Sequence, residues 1–482
     1  MDGNTKPLNE FKWLHYAVLI GLIFFVVFLK LGSFHIRWWD ESMFAVNTFE
    51  MMENGHYFSL YYDGAPDLYN TKPPLTSWFQ LISIKLFGYN EYAIRFPSAM
   101  AAALSILAIF RFSKRHLSLH WAWISALILL TADGFVAYHT ARTGDADALL
   151  TLFMLLSVLA FIDFLITQHK HQILLVFIFI SLGFATKLYA VFLFVPAFLV
   201  ALIYMKKLRQ FIFNWYFLIG LVFFLGSAIL LIVMREIQTP GYIDLILSKD
   251  AGRIFEVVEY HTASISYYFD NLFSYRFGMW MIFAVIGAAL LFISTNEKQR
   301  IIHLVLFACI ISYLLVITVS VTKLEWYDMP LFPLLALLAA YPIQLLILEK
   351  LGVAWQQYAF IALIFVYPYY IAFYESQGNT IALGDSQIEV KENYLYTAFR
   401  NQRDMNGVKV FYHCWDGGLL FYQYKFKTID QQFDLIYNLE DLKAGDRVLV
   451  SNDSLKNLLH TNFIVDPIEN IESAELVQLL SK

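Results

Sequence analysis

The chain has 482 residues, of which 59% are hydrophobic, 18% aromatic and 15% charged, with a mean hydropathy of +0.57. A soluble domain carries about 25% charged residues, so the composition excludes an ordinary soluble protein and implies an integral membrane one. The net charge of −5 leaves no broad basic surface and argues against a nucleic-acid partner.

The first apolar segment runs from Leu14 to Leu31, after Lys6 and Lys12, with no small-residue cleavage signature behind it. It reads as an uncleaved signal anchor. Apolar stretches of about 17–25 residues signal a membrane span. The sequence offers eleven: 14–31, 92–112, 119–137, 148–167, 172–186, 188–205, 212–234, 277–294, 300–320, 328–348 and 355–374. Thr186-Lys187 marks the turn between the fifth and the sixth. With a cytoplasmic N-terminus, the inside loops hold Arg111, Lys114, Arg115, Lys170, Lys206, Lys207, Arg209, Lys298, Arg300 and Lys350. The short outside loops hold only Arg142, Lys187 and Lys323. The positive-inside rule favours that orientation, and eleven spans then place the C-terminus outside. Cys309 falls within a span and Cys414 in the tail, so neither a disulfide nor a cysteine metal site is expected.

Four outside loops stand out, at 32–91, 139–147, 235–276 and 321–327. In the first, Arg37-Trp38-Trp39-Asp40-Glu41-Ser42 leads into a run to Asn54. Phe44, Met51 and Met52 predict an amphipathic helix there, lying along the membrane interface. Hydropathy falls after Tyr374, dividing a membrane domain (1–375) from a small outer α/β domain (376–482). In that tail Val408–Tyr412 and Arg447–Val450 read as strands and Gly417–Tyr424 as a helix, a βαβ-like unit. The tail has no G-x-G-x-x-G fingerprint, so no nucleotide site is expected. No fixed-period repeat is present.

Ionisable residues kept at a membrane are costly and mark function by default. Asp40 and Glu41 have an ordinary reading as a helix cap and a chemical one as a general base. Lys72, in Tyr69-Asn70-Thr71-Lys72-Pro73-Pro74, is either a snorkelling side chain or a phosphate clamp on a proline-stiffened loop. In Arg142-Thr143-Gly144-Asp145-Ala146-Asp147, one aspartate is expected to cap the next span, and either could act chemically. Arg253, His261 and Arg276 sit among aromatics, where a lone histidine is usually structural. Thr322-Lys323-Leu324-Glu325-Trp326-Tyr327 completes the set. Taken singly each has a structural explanation, yet all fall on one membrane face.

These residues resemble a known pattern. Trp39-Asp40-Glu41, Tyr69-x-x-Lys72-Pro73-Pro74-Leu75 and Gly88 through Ser98 are similar to the first third of the bacterial aminoarabinose-type lipid A transferases. Those enzymes stand with the protein O-mannosyltransferases in the GT-C class. Arg142 through Thr151, Thr186-Lys187 and Lys323-x-x-x-Tyr327-x-x-Pro330 match in spacing, and the likeness covers approximately residues 14–345. It implies a GT-C fold of about eleven transmembrane helices with juxtamembrane helices on the outer face, in the inner membrane, with a periplasmic tail. It also implies an inverting transfer from a polyprenyl-phosphate-linked sugar to a lipid, glycan or protein acceptor. The implied catalytic carboxylates are Asp40 and Asp147, with Glu41 and Asp145 beside them. The implied lipid-phosphate and substrate group is Lys72, Tyr69, Arg142, Lys187, Arg253, His261, Lys323 and Tyr327. This chain departs from the pattern at Met43, where an arginine is common, and at Thr71, where an acid is common; a divalent metal is left open.

Two other classes compete. A transporter or lipid flippase would tend to carry broken helices or charges at the bilayer midplane and paired repeats, whereas here the polar groups crowd one face and no half is duplicated. A scaffold displaying the tail would have no use for Lys72, Asp147 and Lys323 on one side.

Overall fold

The computed structural model describes residues 12–136, 139–250, 261–290, 296–346, 350–351, 353–379, 389–413, 415–471 and 474–481. Among these, seven helices are long and apolar enough to cross a membrane, or eight if Tyr267–Arg276 and Trp280–Leu290, which meet at 116°, form one broken span. The expected spans at 14–31 and 119–137 are shorter helices, Trp13–Phe28 and Leu119–Leu130.

The longest apolar run, His171–Tyr204, folds back on itself at Lys187. Phe198 in its second half stacks on Phe161 at 4.3 Å, and Lys207 Nζ donates to Gln168 Oε1 at 3.1 Å. The run therefore returns to the end from which it started, and the fifth and sixth expected spans are the two arms of a hairpin. Lys187 is at its tip. The spans also differ in what they face. Of the apolar window in Asp147–Thr167, 83% is buried in protein, against 11% for Trp215–Gln238. The first is the hub of the bundle and the second faces lipid.

In the first loop, β1 (Tyr61–Tyr62) pairs antiparallel with β2 (Ala65–Pro66). The tail holds β3 (Val408–Phe411), β4 (Asp434–Ile436), β5 (Arg447–Val450), β6 (Ile464–Ile471) and β7 (Ala474–Ser481), which form a five-stranded sheet in the order β4-β3-β5-β7-β6. β3 is parallel to both β4 and β5, and β7 is antiparallel to β5 and β6. The expected strands at 408–412 and 447–450 are the parallel neighbours β3 and β5, and the Gly417–Lys427 helix follows β3 but leads first into β4, a strand outside the βαβ reading. The β6–β7 hairpin was not anticipated from the sequence.

This tail is clamped onto the first loop. Glu389 accepts from Arg37 Nη1 at 2.8 Å and from Trp38 N at 2.7 Å, and pairs with His35 at 2.9 Å. Glu91 accepts from Tyr422 OH and from Lys425 Nζ, the latter at 2.6 and 2.7 Å. Phe49 stacks on Tyr424 at 4.5 Å. The expected Asp40–Asn54 helix is present, and every residue from Asp40 to Met51 is buried. The Gly417–Lys427 helix covers one of its faces through that Phe49–Tyr424 stack.

Candidate active site

Asp40 opens the first-loop helix behind Trp39, whose φ of 80° is left-handed. A bulky residue held there costs of order 1–3 kcal/mol and persists only where its surroundings over-determine it. Here Ser42 Oγ donates to the Trp39 carbonyl at 2.9 Å, Glu389 holds the preceding amide, and Trp415 packs on the Trp39 ring at 4.8 Å. Lys72 Nζ comes within 3.9 Å of Asp40 Oδ1. The loop that brings it is fastened from a distant helix, because Arg235 donates to the carbonyls of Asn70 and Lys72 and Tyr242 OH donates to that of Thr71. Pro73 and Pro74 stiffen its exit.

Asp147 is the first residue of the hub helix, whose N-cap is Ala146 rather than the expected aspartate, and Lys187 Nζ donates to the Asp147 Oδ1 at 2.6 Å. The ammonium also sits 5.0 Å above the Tyr327 ring. Tyr327 lies in the turn Glu325–Leu331, anchored where Arg276 grips both oxygens of Asp328 at 2.6–3.0 Å. A cavity of about 180 Å³ joins these groups. Thr71, Lys72, Asp147, Lys187 and Tyr327 form its polar end, and Leu150, Leu193, Tyr313, Val316 and Ile317 line the rest. Asp40 does not line this cavity and adjoins it through Lys72. Two cations and a carboxylate at the head of an apolar slot suit an anionic headgroup with a hydrocarbon tail.

The other expected residues divide. Glu41, expected beside the catalytic carboxylates, is engaged by donors from three segments. It accepts from Arg95 Nε and Nη2, Arg37 N and Gly144 N at 2.7–3.0 Å, which leaves it tying two loops together. Gly144 is required at that junction, since a Cβ would fall 2.5 Å from Ile94 Cγ2 and 3.2 Å from Glu41 Cγ. Arg142 is likewise spent on structure, donating to the carbonyls of Val26, Val27 and Leu29 at 2.9–3.0 Å. It borders a second cavity, of about 540 Å³, together with Asp133 and Glu375. Lys323 turns its ammonium to the Ser320 carbonyl at 2.5 Å and does not line the first cavity. His261 is exposed and meets this region through its carbonyl, which accepts from Lys323 N at 3.0 Å. Tyr69 is 38% exposed and does not line the first cavity. Arg253 and Cys414 lie outside the described residues.

His139 was not anticipated, because a single histidine in a loop carries no sequence signal. Its Nδ1 lies 3.3 Å from Asp145 Oδ2, and its ring stacks on Trp326 at 3.8 Å. Burial alone would lower its pKa, but Asp145, with Asp40 and Asp147 beyond it, outweighs burial and raises it overall. Ligand atoms of Asp40, His139 and Asp145 lie within 4.8 Å of one another, the one group among the described residues that could hold a metal ion. Asp145 Oδ1 is buried without a hydrogen-bond partner, so the donor set fits a divalent cation. The imidazole must then be neutral, which makes proton and metal competitors.

Residues 71–230 match the family described as dolichyl-phosphate-mannose-protein mannosyltransferase. The undecaprenyl phosphate-alpha-4-amino-4-deoxy-L-arabinose arabinosyl transferase of Aeromonas hydrophila is 31% identical over 142 residues, covering 29% of this chain and 25% of that one. The enzyme of the same name from Yersinia enterocolitica is 26% identical over 341 residues, 67% of this chain and 59% of that one. The aligned stretches thus span less than two thirds of these relatives. The crystal structure of ArnT from Cupriavidus metallidurans bound to undecaprenyl phosphate superposes with a TM-score of 0.71 at 15% identity, covering 97% of this chain and 98% of that one. Extended over nearly the whole length, that agreement gives the chain the GT-C fold of a multi-pass membrane protein.

Proposed function

We propose that the chain is an inverting glycosyltransferase that moves a sugar from a polyprenyl-phosphate donor to an acceptor hydroxyl on the outer face of the inner membrane. The observation that carries this reading is the shared cavity in which Lys72, Lys187, Asp147 and Tyr327 stand at the head of an apolar slot, with Asp40 at 3.9 Å from Lys72. The names of the relatives and the undecaprenyl phosphate bound to ArnT agree with it.

The acceptor oxygen attacks the anomeric carbon as the bond from that carbon to the phosphate oxygen breaks. The transition state is oxocarbenium-like. The leaving polyprenyl phosphate keeps the bonding electrons, and Lys72 and Lys187 face the charge that grows on it. Asp40 takes the hydroxyl proton. Asp147 holds Lys187 at the cavity head, and Tyr327 supports the same ammonium through its ring. A divalent ion held by Asp40, His139 and Asp145 would add positive charge beside the reacting centre. Residues 1–375 supply this membrane machinery, and residues 376–482 form an outer domain on the side of the first loop.

Asp40→Asn tests the reading. Purified full-length protein in nanodiscs is expected to lose release of undecaprenyl phosphate from an undecaprenyl-phosphate-linked sugar, with its thermal midpoint unchanged. Wild-type turnover in that variant would remove Asp40 as the base.

A further inference from the structure

Four aromatic rings gather on the segments that carry Asp40 and Lys72, and one of them comes from the tail. Trp415 packs on Trp39 at 4.8 Å, on Tyr62 at 5.3 Å and on Tyr69 at 5.9 Å. Trp39 also meets Tyr69 edge-on at 6.1 Å. Trp39, Tyr62 and Trp415 are half-buried and Tyr69 is 38% exposed, so the group is an open platform rather than a core. Its position ties it to the chemistry. Trp39 directly precedes Asp40, and Tyr69 stands three residues before Lys72.

The edges of the platform are polar. Asp416 accepts from Tyr62 OH at 2.5 Å and from Tyr412 OH at 3.4 Å, while Lys249 Nζ lies over the face of the Tyr69 ring at 4.7 Å. Partly exposed rings with a carboxylate at one edge and an ammonium over one face complement a sugar, which has C–H faces and a rim of hydroxyls. The clamp of the tail on the first loop keeps Trp415 in place. Its Nε1 donates to Ser42 Oγ at 3.5 Å, and Gly417 lets the tail close, since a Cβ there would fall 2.6 Å from both Ser42 Oγ and Trp415 Nε1.

We infer that the tail completes the active site, its Trp415 forming with Trp39, Tyr62 and Tyr69 a stacking subsite for a glycosyl ring. The inference rests on the proposed transferase reading and deepens it, giving the outer domain a part in substrate binding. The ring is either the sugar of the donor or one belonging to the acceptor.

Saturation-transfer NMR on the full chain in nanodiscs tests it, with methyl α-D-mannopyranoside and methyl β-L-arabinopyranoside as probes, because stacking on a ring face needs no single hydroxyl pattern. Wild type is expected to transfer saturation to at least one probe. Trp415→Ala is expected to lose that signal and Trp415→Phe to retain most of it. Tyr69→Ala, at the most exposed ring, should weaken the signal and serves as the test if Trp415→Ala does not fold. Undecaprenyl-phosphate mannose in excess displaces the probe if the subsite takes the donor sugar and leaves it bound if the subsite takes the acceptor. No transfer to either probe in wild type, or an undiminished signal in the folded aromatic variants, overturns the inference. Asp40→Asn should bind the probe as wild type does, which separates failure of this inference from failure of the catalytic reading.

Discussion

Lys72 and Lys187 both face the cavity, yet their replacement by Met should do different damage. Lys72 is 3.9 Å from Asp40 Oδ1, and the two side chains retain 19% and 12% exposure. A partly solvated pair at that separation contributes less than about 1 kcal/mol to stability. Against charge building on a departing phosphate, a cation about 4 Å away contributes roughly 4 kcal/mol at an effective dielectric of 20, a factor of roughly 10²–10³ in rate. Lys72→Met is therefore expected to fold normally and to lower kcat/KM for the lipid-linked donor by roughly 10²–10³. Lys187 touches Asp147 at 2.6 Å, with the carboxylate only 3% exposed. Lys187→Met leaves that charge buried and unpaired, at about 3–5 kcal/mol. Much of this loss should be recovered in the double variant Asp147→Asn/Lys187→Met, which remains inactive. Thermal unfolding and initial rates of undecaprenyl phosphate release, measured on the same preparations, separate the two effects. Normal transfer by Lys72→Met, or a Lys187→Met protein as stable as wild type, would refute the reasoning.

Two further outcomes follow from packing and burial. Gly144→Ala places a Cβ 2.5 Å from Ile94 Cγ2 and is expected to destabilise by about 1–3 kcal/mol; an unchanged midpoint would show that the Glu41 junction can give way. Burial pushes the Glu392 carboxyl up to about 7 from its ordinary 4.5. The folded protein keeps that proton where the unfolded chain has lost it, so stability falls as pH rises from about 4.5 to about 7, by roughly 3 kcal/mol in all. Glu392→Gln should raise the thermal midpoint at pH 8 and leave it unchanged at pH 4, and equal gains at both pH values would contradict the assignment.

Much of the architecture is legible in the chain because hydrophobic runs are local. Each span needs its own apolar length, and that length is written in one stretch of sequence. Asp40, Lys72, Asp147, Lys187 and Tyr327 are readable for a related reason. A charged or hydroxylated residue at the end of an apolar run stands out against the composition around it.

What the linear order could not settle is which of those polar groups are left over for a ligand. Glu41, Arg142 and Lys323 look as reactive in sequence as Asp40 and Lys72, but folding gives them Arg95, the carbonyls of Val26 to Leu29, and Ser320 as partners. Arg235, His139 and Trp415 carry no local signal and reach the site only through chain reversals and docking across long stretches of sequence. A span can be read from its own residues because transfer into lipid depends on each segment's own surface, whereas a binding site depends on distances between segments, and only the packed bundle and its docked tail fix those.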